Sequence, residues 1–229
     1  MTPPTPPGVW VVIAAYNESA RLGNTLAELA PHATNVVVVD DGSRDDTAAV
    51  ARAAGVWVLR HPINRGQGAA LQTGIRFALQ QGAEYVVTFD ADGQHDPTEI
   101  PKLLAPVVEG RADAALGSRF LGRTVGMPAS RRLVLKAAVV FTRVVSQINV
   151  TDAHNGFRAL SRAAAEGIRI RQDRMAHASE ILDEVRRLKL RYVEVPVTIR
   201  YTAATLAKGQ SSWNSLSIVW QLLVGKVVK

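Results

Sequence analysis

The sequence predicts an α/β protein: a single domain built on a mostly parallel sheet with helices on both faces. Three observations carry the prediction. Short β-branched runs alternate with helical stretches along the chain. The strand runs are apolar throughout, the pattern of strands covered on both sides. Polar clusters recur where these runs end, at Asn17-Glu18, Asp40-Asp41, Asp90-Asp92 and Ser118-Arg119. A sheet that binds its ligand beyond the carboxyl ends of its strands has this arrangement.

The elements follow in order. Gly8 to Ala15 is a buried strand by its β-branched run, and Tyr16 to Ser19 a loop. The next helix carries Leu22, Leu26 and Leu29 on one face. Asn35 to Ser43 is a second buried strand running into a turn, with a helix starting near Asp45 and Asp46. Val56–Leu59 is a third strand, Gly66–Gln81 a helix and Tyr85–Phe89 a fourth strand. Asp96-Pro97-Thr98-Glu99 signals a helix start: a capping acid, proline at the first helical position and an acid at the third. Ala112–Leu116 is a fifth strand. Beyond it, Gly122, Gly126 and Pro128 predict a flexible loop, then a helix over most of Arg131–Asn149. Thr151–Leu160 reads as a loop entering a strand, and Ala178–Leu188 as a helix. Tyr192–Ile199 contains Pro196 and is expected at a sheet edge.

At 229 residues, 47% hydrophobic and 21% charged, the chain suits one globular domain that buries its core without crosslinks. It has no cysteine, which excludes disulfides and thiolate zinc sites and suits a reducing, cytoplasmic compartment. Residues 1–8 lack the basic and apolar regions of a signal peptide and read as a disordered lead. No apolar run approaches the ~18 residues of a membrane span. The net charge of +7 points to anionic partners. Nucleic-acid binding would explain that charge but not the carboxylates at the strand ends, so no nucleic-acid partner is expected.

The strongest local signal is Asp90-Ala91-Asp92, with Gln94, His95 and Asp96 behind it. Two carboxylates one residue apart on an extended chain project to one side. With a neighbouring amide oxygen they suit Mg²⁺ or Mn²⁺, in a site left incomplete until a diphosphate supplies oxygens. The same pair also suits helix capping and turns. Asp40 and Asp41 suit contact with a ribose or base, or a cap; ligand contact is favoured for Asp41, since Asp45 and Asp46 offer caps. The glycines of His61–Gly74 do not have dinucleotide-fingerprint or P-loop spacing, and close helix packing accounts for them as well as ligand contact does. His95, His154 and His177 show no metal-ligand spacing; His95 reads as a loop residue near the site. No acid occurs between Asp113 and Asp152, an interval holding Arg119, Arg123, Arg131, Arg132, Lys136 and Arg143. An uncompensated cationic loop suits a second anionic substrate.

In order along the chain stand A-A-Y-N-E, V-V-D-D-G-S-x-D-x-T, N-x-G-x-G-x-A, D-A-D-G-Q-H, G-S-R and D-x-x-x-G-F-R-A. Together they resemble glycosyltransferase family 2, in the branch of dolichyl-phosphate mannose synthase and bacterial polyprenyl-phosphate glycosyltransferases. The likeness spans roughly residues 9–210 and implies a GT-A fold and a nucleotide-diphospho-sugar donor, GDP-mannose or a UDP-hexose. It implies that Tyr16, Asn17, Glu18 and Asp41 hold the nucleoside, with Asp90 and Ala91 against the donor. Asp92 and Gln94 would hold the metal, and Arg119, Arg200 and Lys208 would face phosphates. Asp152 and Arg158 would border the active site. Three departures stand out: Ala15 replaces the family's proline, Gln67 replaces a lysine, and the Q-x-x-R-W motif of processive members is missing.

The implied reaction is an inverting displacement at the anomeric carbon, with metal and cations stabilising the departing nucleoside diphosphate. A polyprenyl phosphate acceptor is already a nucleophilic anion, for which Arg131 and Arg119 supply charge. A hydroxyl acceptor on a glycan or small molecule would need a base such as Asp152 or Glu180. The tail, 211–229, carries Trp213, Trp220 and terminal lysines. It suits either a peripheral contact with the inner face of the membrane or packing on the domain or on a second subunit in a homo-oligomer.

Overall fold

The structure is a computed structural model that describes residues 6–170 and 177–201. In chain order the elements are β1 (Val9–Ala15), α1 (Ser19–Leu29), β2 (Asn35–Asp40), α2 (Thr47–Ala53), β3 (Trp57–Arg60), α3 (Gln67–Gln80) and β4 (Tyr85–Asp90). A single 3₁₀ turn (Pro97–Glu99) leads into α4 (Ile100–Val108), followed by β5 (Ala114–Val125), α5 (Ala129–Ser146), β6 (Arg158–Ser161), α6 (Arg162–Gly167), α7 (His177–Arg187) and β7 (Tyr192–Arg200).

One seven-stranded sheet runs β3-β2-β1-β4-β6-β5-β7. All pairings are parallel except those of β6, which runs antiparallel to both β4 and β5. Strand order reverses at β1, which has β2 on one side and β4 on the other. The crevice beyond this reversal is where such sheets take ligands.

Each strand divides its apolar residues between the two faces. Val9, Val11 and Ile13 of β1 pack with the leucine stripe of α1 and with Ile100, Leu103 and Leu104 of α4. Trp10 and Val12 pack on the other face with Leu71, Ile75 and Ala78 of α3 and with Ile181, Leu182 and Val185 of α7. This two-sided burial is why the strands read as continuous apolar runs. A Cβ on Gly74 of α3 would come within 2.4 Å of Val12. That glycine serves close helix–sheet packing.

Several expectations are corrected. β3 is not buried: it is the sheet's outer strand, with Trp57 and Arg60 exposed. β5 does not end at Leu116. It continues to Val125 because β7 runs alongside it and resumes pairing, after an irregularity between Ser118 and Arg123, at Arg123↔Thr198. The flexible loop expected at Gly122 is therefore strand. Gly122 is packed so closely on Val197 that a Cβ would fall 2.3 Å from its carbonyl oxygen. The edge position of β7 is as expected from Pro196. Residues 1–5 lie outside the described residues, but Gly8 already accepts backbone hydrogen bonds from Glu84 and Tyr85.

Candidate active site

The loops after β1 and β2 are knitted together. Asn17 has the positive φ of 52° that asparagine tolerates. Its N–H donates to Ser43 Oγ (2.9 Å) and its side-chain oxygen accepts from Arg44 N (2.9 Å). Glu18 N donates to Thr47 Oγ1 at 2.9 Å. Between these loops and the segment after β3 opens a cleft of about 710 Å³, walled by Tyr16, Ser43, Arg44, Arg60, Ile63 and Asn64. Gly42 is required at its edge: φ is 73°, and a Cβ would lie 2.6 Å from the backbone of Ile63. The cleft has the walls and position for a nucleoside.

Asp41 lies beneath this cleft, 2% exposed. One oxygen accepts from Arg65 N (3.0 Å) and lies 2.7 Å from His61 Nδ1; the other accepts from Gly66 N at 2.6 Å. Its carboxylate thus shapes the 61–66 loop, part of which lines the cleft. Asp40 is likewise buried, accepting from Ser43 N and facing Arg60 Nε at 3.1 Å.

The acidic cluster stands at the end of β4, beside the reversal of strand order. Asp90 Oδ1 accepts from Gln67 Nε2 (3.2 Å), and Oδ2 lies 2.9 Å from His95 Nε2. Gly156 presses against this carboxylate, and a Cβ there would sit 2.6 Å from both oxygens. Behind it Arg158 is wholly buried. Burial pushes its pKa down to about 10, against the pull of Asp90 and Asp152. Asp92 accepts from Gln94 N at 3.0 Å. Burial, and then the charge of Asp90, push the Asp92 pKa up, opposed by His95. Among the described residues Asp92 makes no side-chain ion pair. They also contain no group of three or more His, Cys, Asp or Glu side chains arranged to hold a metal. A half-buried carboxylate next to a second one, with an amide two residues on, fits a partial hard-cation site that a diphosphate would complete.

His95 stands in the loop beside the site, as its position predicts, and is more than a surface loop residue. It is buried, stacks on Phe157 with ring centroids 5.0 Å apart and meets Phe89 edge-on. The loop that carries it is tied to β7: Arg200 N donates to Gln94 O, and His95 bridges to Ile199. The available signal was its position five residues after Asp90 across a glycine turn.

Arg119, Arg131 and Arg200 each have a partner within the protein. Arg119 does not present a free guanidinium. It is buried, with Nε donating to Asp152 Oδ2 (2.6 Å) and one terminal nitrogen to the Tyr201 hydroxyl (2.6 Å), while its backbone N–H reaches the same Asp152 oxygen. Asp152 is correspondingly locked, its other oxygen accepting from His154 N. Glu194 of β7 clamps the segment by accepting from Thr151 N and Asp152 N. Arg200, expected to face a phosphate, is 40% exposed and pairs with Asp96 and Glu28. Arg131, at the start of α5, lies 5.2 Å over the Tyr201 ring. Ala91 is buried behind the acidic loop, its carbonyl accepting from Thr25. Glu180 sits on α7, which packs against α3 and α5. Lys208 and the segment 211–229 lie outside the described residues.

This sheet order, its reversal at β1 and the acidic loop at that reversal define a glycosyltransferase of the GT-A fold. Glycosyl transferase family 2 matches residues 10–169, well over half of the chain, and the protein belongs to that family. A UDP-N-acetylglucosamine–dolichyl-phosphate N-acetylglucosaminyltransferase of Methanococcus voltae is 30% identical over 243 residues, covering 96% of this chain and 97% of that protein. An undecaprenyl-phosphate mannosyltransferase of Micrococcus luteus is 35% identical, covering 83% and 82% respectively. Such relatives place the chain in the polyprenyl-phosphate branch of the family. A structure of glucosyl-3-phosphoglycerate synthase from Mycobacterium tuberculosis, with Mn²⁺, UDP-glucose and phosphoglyceric acid, superposes with a TM-score of 0.73 at 21% identity. It covers 94% of this chain and 77% of that one, a likeness of fold.

Proposed function

We propose that the protein transfers a sugar, with inversion and with a divalent metal, from a nucleotide-diphospho-sugar to a polyprenyl phosphate at the inner face of the membrane. The observation that carries the acceptor is the state of Asp152. A hydroxyl acceptor needs a base, and the carboxylate nearest that role has both oxygens engaged, one of them by Arg119 at 2.6 Å. A phosphate acceptor arrives already anionic and needs no base. The names of the Methanococcus and Micrococcus relatives support the same acceptor class.

In this reading the cleft at Tyr16 and Arg60 takes the nucleoside, and the loop at Asp90–Gln94 lies along the diphosphate. Asp92 and Gln94 would hold Mg²⁺ or Mn²⁺, which offsets charge on the leaving diphosphate. An acceptor phosphate oxygen attacks the anomeric carbon from the face opposite the leaving group. The new C–O bond forms as the bond to the nucleoside diphosphate breaks, and no proton changes hands. The Mycobacterium tuberculosis enzyme, crystallised with phosphoglyceric acid, keeps a small-molecule acceptor as the second reading.

The test is transfer from labelled GDP-mannose and UDP-hexoses to polyprenyl phosphate, polyprenol and phosphoglyceric acid. Polyprenyl phosphate should be glycosylated and polyprenol left untouched. Chelation or Asp92→Ala should lower turnover by at least about a hundredfold, the scale of losing one strong transition-state charge contact. Equal transfer to polyprenol, or full turnover in excess chelator, would overturn the respective part.

A further inference from the structure

α5 is turned inside out relative to an ordinary surface helix. Leu133, Val140 and Val144 are 72%, 61% and 71% exposed, whereas Thr142 and Ser146 are buried alongside Val139. With exposed Ala137 the outward residues fall at i, i+4, i+7 and i+11, a continuous stripe along the helix. Beside it run exposed Arg132, Lys136 and Arg143, at i, i+4 and i+11 of their own row. The strand leading into the helix adds Leu121 and Val125, each about half exposed. A helix of 18 residues spans about 27 Å, so this is an extended surface.

We infer that this face of α5 docks on the anionic leaflet of a lipid bilayer. The apolar stripe would enter the headgroup boundary, with the cationic row meeting lipid phosphates. Charge complementarity selects this occupant. The interval from Ala114 to Thr151 holds no acidic residue, so a second copy of the chain seated on the same face would offer no carboxylate to these cations. A negatively charged leaflet offers many. The inference deepens the proposed transfer to a lipid phosphate, because a helix lying in the interface brings the β5–β7 side of the sheet to the depth at which such headgroups stand.

The test needs neither donor nor acceptor. Full-length protein is co-sedimented at low salt with vesicles of phosphatidylcholine alone and with vesicles containing equal parts of phosphatidylglycerol. It should partition onto the anionic vesicles, and the triple variant Leu133→Gln/Val140→Gln/Val144→Gln should partition at least about tenfold less. Arg132→Glu/Lys136→Glu should lose on the order of fivefold per cation, a loss that added salt erases. The triple variant should keep wild-type transfer to a short-chain, water-soluble polyprenyl phosphate, and the charge variant wild-type hydrolysis of the nucleotide sugar without acceptor, which shows that both fold. Wild-type protein that ignores anionic vesicles overturns the inference. So does a triple variant that binds them as well as wild type, or one whose change is a shift from dimer to monomer. Vesicle binding without any transfer to polyprenyl phosphate would leave the docking face standing and remove the proposed acceptor. Transfer with no vesicle binding would do the reverse.

Discussion

A carboxylate whose two oxygens are engaged inside the protein, one by an arginine, is poorly placed to take a proton from a substrate. Asp152 is 4% exposed and Arg119 is 8% exposed, and each is the other's counter-charge. Removing one partner of a buried pair leaves the other ionised and desolvated, typically at a cost of about 3–5 kcal/mol. Asp152→Ala should therefore shift the denaturant midpoint strongly, because the Arg119 guanidinium is left buried with the Tyr201 hydroxyl as its one remaining hydrogen-bond partner among the described residues. A general base would behave otherwise, losing turnover while leaving the unfolding curve in place, and that result would return Asp152 to the chemistry. The pairing joins residues 33 positions apart. For that reason the sequence shows both residues as site candidates without showing that they satisfy each other. Asp41 shows the same dependence: its hydrogen bonds form only where the 61–66 loop folds back.

The elements were legible where local pattern and tertiary environment agree. The Leu22, Leu26 and Leu29 stripe of α1 and the apolar runs of β1, β2 and β4 all pack as their periodicity requires. The proline-marked edge strand β7 was equally plain. What escaped is set by partners distant in sequence: the extension of β5 depends on β7, and the reversed direction of β6 depends on its slot between β4 and β5. Element junctions carry their own chemistry. Asp45 ties the start of α1 to that of α2, accepting from Ser19 N, Thr47 N and Thr47 Oγ1. Burial alone would raise its pKa, but the hydrogen bonds from Thr47 and Ser19 outweigh it and hold the carboxyl at about 2. A depressed folded-state pKa contributes stability that is present above the unfolded value near 3.8 and lost as pH falls through the folded one. Wild type should thus be more stable than Asp45→Asn above about pH 4, and the gap should close between pH 4 and 2. The gap should be small, because the carboxylate is largely exposed and screened. A pH-independent difference in urea midpoints would rule out the ionised carboxylate as its source.

Across the whole molecule, the donor and acceptor functions are assigned to opposite wings of one sheet. The cleft proposed for the nucleoside belongs to the ends of β1, β2 and β3, and the acid-free segment belongs to β5 and α5. The acidic loop after β4 lies between them, fastened to β7 through Gln94 and Arg200. On this plan a cation of the β5–α5 wing should affect one substrate alone. Arg131 is the test case: half-buried, it lies over the Tyr201 ring at 5.2 Å, and Tyr201 in turn accepts from Arg119. The ring holds the guanidinium in place, and cation and ring together border the wing assigned to the acceptor. A charge-assisted hydrogen bond to a phosphate contributes roughly 1.5–3 kcal/mol. Arg131→Ala should accordingly lower kcat/KM for a short-chain, water-soluble polyprenyl phosphate by about 10- to 100-fold. That acceptor removes vesicle docking from the measurement, so a loss cannot be ascribed to the exposed stripe of α5. Hydrolysis of the nucleotide sugar without acceptor should change little, since the donor wing is untouched. Arg131→Lys keeps the charge but loses the planar stacking and fork geometry, and should fall between the two. Equal losses in hydrolysis and transfer would place Arg131 on the donor, and the division of the sheet into two wings would fail with it.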